Sequence, residues 1–223
     1  MIMKKTAIIL GATGLTGRHL LQELIKDNHY TTVKLFSRSR IENLPVKAEQ
    51  FIGNLLELEN FKKDFIADEV FCCIGTTAKK TPNKEAYKKI DYGIPVTAAK
   101  LAKENNIPTF LVVSAIGANA KSSIFYTKIK GEMEQEVLRQ NIPNTYILQP
   151  SIIGGNRNET RIGEKIGVAI FRVLQPLFIG KLKKYKITEA EHIVQAMINL
   201  AHSKKEKTNI ITSEKIALLA KLN

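Results

Sequence analysis

No stretch of this chain is apolar for long enough to cross a membrane as a helix. Its two cysteines, Cys72 and Cys73, are neighbours and cannot build an ordinary disulfide framework. They sit inside an apolar run, which predicts buried thiols in a reducing compartment. The four histidines show no metal-ligand spacing, so no metal is expected. Arginine is scarce. The formal charge of +13 comes mostly from lysines spread along the chain. Such a charge raises nucleic acid or an anionic surface as a partner. However, arginine is the better bidentate reader of phosphates and bases, and no basic stretch is interleaved with aromatics as in a nucleic-acid platform. The expectation is a solvated lysine-rich surface with no nucleic-acid partner. Residues 1–10 place two lysines before an apolar run, but the run is about half a usual signal-peptide core and stops at a glycine turn. A cytoplasmic location is therefore expected.

What the chain does have is concentrated near its start. Thr6 to Leu10 is a short apolar run suited to a buried strand. It ends in Gly11-Ala12-Thr13-Gly14-Leu15-Thr16-Gly17, after which Leu20, Leu21, Leu24 and Ile25 fall on one helical face. Strand, glycine turn and helix form the setting in which a nucleotide diphosphate sits on a helix N-terminus. Orphan backbone N–H groups and the positive end of the helix dipole both face the anion. The spacing is G-x-x-G-x-x-G rather than the commoner G-x-G-x-x-G, and a tight turn without a ligand is the plain alternative.

The 223 residues fit one α/β domain. Further strands are predicted at Thr32–Ser37, Ala48–Gly53, Glu69–Ile74, Thr109–Ser114 and Tyr146–Gln149. A short helix runs from Asn54 through Lys63, and a longer one from Pro82 to about Asn105, with an interruption near Pro95. Another helix continues through Leu138. Strands that are apolar throughout and alternate with helices predict a doubly wound, Rossmann-type parallel sheet covered on both faces. About residues 150–223 would supply a small substrate-side extension. Ligands of such sheets bind at the carboxyl ends of the strands, where Gly11, Arg38, Gly75 and Ser114 fall.

The end of the second strand selects the nucleotide. An acidic residue there bonds the ribose 2′-hydroxyl of NAD, whereas an arginine accommodates the 2′-phosphate of NADP. The chain offers Ser37-Arg38-Ser39-Arg40 and no carboxylate until Glu42. NADP(H) is therefore expected over NAD(H), with Arg38 as the phosphate partner and Arg18 as a secondary one. A polar loop with no such duty is the alternative.

A reaction centre is suggested by Ser114 at the end of its strand and by Tyr126 with Lys130 one helical turn apart. A phenol is a poor proton donor near neutrality, and a neighbouring ammonium favours its ionised form. A tyrosine so tuned can pass a proton to a carbonyl oxygen while hydride moves at carbon. Ser114 would bond the same oxygen. Y-x-x-x-K is common by itself, so the order of glycine turn, strand-end serine and Tyr–Lys pair carries the reading.

GATGLTG, FCCIGTT, VVSAIGA and YTKIKGEME together resemble the atypical short-chain dehydrogenase/reductases. The likeness is nearest to the Tat-interacting-protein-like NAD(P)H-binding proteins and their bacterial relatives. It runs from about Lys4 to beyond His192. It implies a Rossmann-type domain binding NADP(H), with Ser114, Tyr126 and Lys130 at the catalytic positions and Tyr126 and Lys130 also among the cofactor contacts. It also implies glycine-turn contacts at Gly11, Thr13, Gly14, Leu15 and Thr16, and adenine-side contacts at Asn54, Leu55 and Gly75. The family often has aspartate where Asn54 stands, and Arg-Pro-Gly where this chain has Gln149-Pro150-Ser151.

Further along, Ile166, Ile170, Val173, Leu174 and Leu177 make an apolar stripe: core packing is the plain reading, and an active-site roof or a surface touching a membrane or a partner chain are the alternatives. Gly154, Gly155 and Gly163 mark loops that could close over a substrate, and Arg157 and Arg161 are candidate clamps. Thr188 and Glu191 make a capping box. The expected activity is NADPH-dependent reduction of an unidentified small carbonyl compound, by a monomer or homodimer. Sugar-nucleotide epimerases carry a larger C-terminal domain than this chain supplies. The resemblance keeps open a different class, an NADP(H)-binding redox sensor without turnover.

Overall fold

The computed structural model describes residues 4–154, 186–203 and 206–222. Seven strands form one parallel sheet in the order β3-β2-β1-β4-β5-β6-β9. They are β1 (Lys5–Leu10), β2 (Tyr30–Ser37), β3 (Ala48–Ile52), β4 (Glu69–Cys72), β5 (Thr109–Val113), β6 (Asn144–Gln149) and β9 (Ile210–Thr212). Two short strands, β7 (Ile153–Gly154) and β8 (Thr188–Glu189), pair with each other outside it. The expected Rossmann-type sheet is present.

Successive residues of a strand point to opposite faces, and β1 divides accordingly. Ala7 and Ile9 enter one core cluster, while Ile8 and Leu10 enter the other. The first cluster is closed by Leu20 and Leu24 of α1 (Leu15–Lys26), by Ile193 and Met197 of α5 (Ala190–Ser203) and by Ile216 of α6 (Ser213–Leu219). The second is closed by Ala98 and Leu101 of α3 (Ile94–Glu104) and by Met133 and Val137 of α4 (Phe125–Arg139). Cys72 and Cys73 are unbridged and pack against opposite clusters, as the apolar run implied.

The long helix expected from Pro82 is divided in three. α2 (Lys84–Lys88) passes through a π-helical turn, Lys89–Gly93, into α3. Pro95 has no N–H to give the carbonyl one turn back, and the backbone widens just before it. The segment after Asn54 is a 3₁₀ helix, Leu55–Phe61. Thr188 does not cap α5. It lies in β8, where its hydroxyl accepts from the Ser151 N–H at 3.3 Å. The apolar stripe from Ile166 to Leu177, Gly155, Gly163, Arg157 and Arg161 lie outside the described residues.

The glycine turn is shaped by packing at both ends. Gly11 has φ +85°, and a Cβ there would meet the Cys73 carbonyl oxygen at 2.9 Å. A Cβ on Gly17 would fall 2.1 Å from the Gly11 carbonyl oxygen. Both obstacles are backbone, so neither can swing aside. Gly17→Ala is expected to cost about 3 kcal/mol or more, lowering Tm by roughly 6–12 °C. A thermal melt checks this, and a shift under about 2 °C would contradict the close α1–β1 packing.

Candidate cofactor and catalytic site

The carboxyl ends of β1, β2, β4 and β5 meet the start of α1 and the first half of α4. Helix α1 opens at Gly14 with no side-chain cap and no acidic residue in its first turn. Thr13 and Gly14 are exposed, whereas Thr16 and Gly17 are buried. A Cβ on Gly14 would meet only the Gly11 carbonyl oxygen, at 3.3 Å, so the space beyond it is open. Uncapped amides, an exposed glycine and no competing carboxylate suit a diphosphate. Arg18 folds back onto this turn, its Nη2 donating to the Thr13 carbonyl at 3.3 Å.

Arg38 and Arg40 follow β2 directly and are exposed. Among the described residues neither has an ion-pair partner. Asn54 is exposed at the end of β3, but its amide is already engaged. Its oxygen accepts from the Leu56 N–H at 3.1 Å and its nitrogen donates to Glu57 at 2.9 Å. An adenine-side contact through the Asn54 side-chain carbonyl would thus compete with a helix cap. Leu55 is 6% exposed and its side chain sits in the core, leaving only its backbone for a ligand.

The centre of the site is a buried ion pair that local sequence patterns do not reveal. Lys130 Nζ lies 2.8 Å from Asp91 Oδ1, with both side chains almost fully buried. Asp91 comes from the π-helical turn and accepts from the Thr76 N–H at 2.8 Å through its other oxygen. Tyr87 donates to it at 3.4 Å. One carboxylate therefore ties α4 to the loop after β4. Gly75 lies against this pair, for a Cβ there would sit 3.7 Å from Asp91 Oδ1 and 3.8 Å from Lys130 Nζ. Burial alone would lower the Lys130 pKa, but the Asp91 charge, assisted by Tyr126, outweighs it and the net direction is up. Lys130 is a fixed ammonium at neutral pH.

Tyr126 keeps 40% of its surface exposed and rests edge-on to Tyr87, ring centres 6.1 Å apart. Its pKa is raised, not lowered as the Tyr–Lys spacing led one to expect. Desolvation by the surrounding protein raises it most, Lys130 pulls it down and Asp91 pushes it up again. The lysine's effect is diluted because Asp91 neutralises it at closer range.

Ser114 also differs from expectation. It is 5% exposed, and its hydroxyl donates to Oε1 of buried Glu134, a short contact. Gln149 Nε2 donates to both Glu134 oxygens at 2.9 Å. Burial raises the Glu134 pKa against the opposing pull of these hydrogen bonds and of Lys130. Glu134 lies four residues after Lys130, on the same face of α4, which was the only local sign of it.

A family model described as NAD(P)H-binding matches residues 11–165. The chain belongs to this NAD(P)H-binding family. The mitochondrial protein FMP52-1 of Scheffersomyces stipitis is 34% identical over 213 residues, covering 91% of this chain and 90% of that protein. HTATIP2 of Rattus norvegicus is 28% identical over 202 residues, covering 89% of this chain and 81% of that protein. The resemblance to atypical short-chain dehydrogenase/reductases is thus borne out. Among solved structures, the UDP-glucose 4-epimerase of Thermotoga maritima superposes with TM-score 0.71 at 17% identity, covering 97% of this chain and 81% of the other. This likeness is one of fold.

The family also corrects the expected cytoplasmic location. Several similar fungal relatives are named mitochondrial, which points away from a purely cytoplasmic protein. Unbridged cysteines and the lack of a long apolar run report on disulfides and membrane spans, and neither distinguishes one compartment from another. Among the described residues no helix is long and apolar enough to cross a membrane.

Proposed function

We propose that this family member is an NADPH-dependent oxidoreductase that reduces a small carbonyl compound, with Ser114, Tyr126 and Lys130 at the reaction centre. The observation that carries the reading is the buried Asp91–Lys130 pair. A charged lysine is held rigidly one helical turn from a half-exposed tyrosine, beside the glycine-lined strand ends. Residues 150–223 would furnish the substrate side.

In this reading the turn of Gly11, Thr13, Gly14, Leu15 and Thr16 holds the diphosphate through its uncommitted N–H groups, the Gly14 N–H being held by the Gly11 carbonyl oxygen at 3.0 Å. Asn54, Leu55 and Gly75 border the adenine side through backbone and cap, and Arg38 pairs with a 2′-phosphate. When bound, NADPH supplies the hydride that reaches the carbonyl carbon. Tyr126 gives its phenolic proton to the carbonyl oxygen, and solvent restores it. Lys130 stabilises the phenolate left behind. Ser114, with its O–H directed to Glu134, presents lone pairs to the product hydroxyl. A protonated Glu134 would donate to Ser114 instead and free the serine to bond the carbonyl oxygen.

A second reading is an NADP(H)-binding sensor without turnover. It draws on the same facts: Ser114 is committed to Glu134, and the Tyr126 phenol is held above its ordinary range. A broad carbonyl panel with NADPH separates the two readings, since turnover supports the enzyme and tight binding without turnover supports the sensor.

The cofactor preference has its own test. Arg38→Ala is expected to weaken NADPH binding about tenfold, the lower end for an exposed charge-assisted contact, and to leave NADH binding unchanged. Titration by cofactor fluorescence reads both. A wild-type protein that prefers NADH regardless of Arg38 would remove the NADP assignment.

A further inference from the structure

Away from the carboxyl ends of the strands, the fold brings His202 onto Asp27 and His29. Asp27 caps the C-terminus of α1, His29 lies in the connection to β2, and His202 is in the last turn of α5. Their ligand atoms all lie within 4.8 Å of one another. His29 Nδ1 is 2.7 Å from Asp27 Oδ1, and His202 Nε2 is 3.1 Å from Asp27 Oδ2. The two imidazoles stand side by side, centroids 4.3 Å apart. One feature is unresolved by protein contacts alone: His202 Nε2 is buried and lacks a hydrogen bond of acceptable geometry. A buried ring nitrogen without a partner calls for a physical explanation.

We propose that Asp27, His29 and His202 bind one divalent first-row transition ion, with zinc as the reference. Two imidazoles and one carboxylate are donors that such an ion takes. Hard cations such as magnesium and calcium favour all-oxygen sets. Ligands around a tetrahedral ion at about 2.0–2.1 Å stand about 3.3 Å apart, so the three atoms are near bonding positions. The His29 side chain is 42% exposed and free to make the remaining adjustment. Three protein ligands leave a fourth position for water. Two lysines stand near the cluster and both are engaged: Lys47 donates to the carbonyl oxygens of Leu24, Ile25 and Asp27 at the end of α1, and Lys5 pairs with Glu69 at 2.6 Å. An ion here would pin the last turn of α5 to the α1–β2 connection. Helix α1 spans about 18 Å between this site and the glycine turn, so the proposal stands apart from the cofactor reading.

The test uses tag-free, chelator-treated full chain. Zinc is titrated by calorimetry and cobalt(II) by visible absorption. The expected result is one equivalent of either ion, a cobalt d–d band typical of four-coordination, and a Tm raised by about 5 °C or more at saturating zinc. His29→Gln and His202→Gln should each weaken binding at least tenfold, whereas His192→Gln, at the exposed opposite end of α5, should change nothing. His29 is outside the core, so its replacement reports on the ion even if His202→Gln perturbs packing. An absence of stoichiometric binding to wild type, an affinity unmoved by both substitutions, or a dependence on His192 would overturn the proposal. The cluster would then be a hydrogen-bonded network around Asp27 only.

Discussion

Replacing Tyr126 by phenylalanine is expected to lower kcat for carbonyl reduction by about 10²–10⁴-fold, the usual contribution of a positioned acid, and to leave NADPH affinity unchanged. The phenylalanine keeps the ring contact with Tyr87 and removes only the proton donor. The pH profile adds an independent check. Reduction needs the protonated phenol, and the Tyr126 pKa lies above its ordinary value of 10. The acid form therefore persists through neutrality, and kcat should stay level there and fall only on the far alkaline side. A descending limb centred near neutral pH would contradict this arrangement, as would turnover that survives the substitution. Steady-state kinetics on the best substrate of a carbonyl panel decides both points.

Asp91→Ala should be the most destabilising single change at the site. It leaves the Lys130 ammonium buried without its counter-ion, and breaking such a pair costs about 3–5 kcal/mol. It also leaves the Thr76 N–H without the carboxylate that accepts it. Urea unfolding should therefore show a large loss, with most of it recovered in the double variant Asp91→Ala/Lys130→Met, where no charge remains buried. The single variants and the double together form a cycle whose coupling energy isolates the pair. A loss below about 1 kcal/mol would place the pair among ordinary surface contacts, and the rigid ammonium invoked beside Tyr126 would go with it.

The parts of this molecule that sequence reveals are those written in local pattern. Six of the seven strands of the main sheet follow from short apolar runs, and the glycine turn follows from its own composition. β9 was not anticipated, because Ile210–Thr212 is too short for any periodicity and is ordered by pairing with β6. Tyr126 and Lys130 were legible because one helical turn separates them. Asp91 was not: it sits between Ile90 and Tyr92 in a lysine-rich helix, and its partner lies on another helix. Glu134 and Gln149 meet at Ser114 only through the β5–β6–α4 arrangement. The direction of the Tyr126 shift is hidden in the local pattern for the same reason, since the lysine's charge is offset by an aspartate that the pattern does not show. His29 and His202 repeat the lesson at the other end of the fold, where spacing of ligands along the chain gives no hint of the cluster.

The proposed function requires a dinucleotide across the ends of these strands, with its diphosphate on the main chain after Leu10. A crystal structure of the full chain grown with excess NADPH tests it most directly. The diphosphate is expected against the amides of Thr13, Leu15 and Thr16, and the adenosine 2′-phosphate at Arg38. An empty crevice at saturating cofactor, or a dinucleotide bound elsewhere on the molecule, would contradict it.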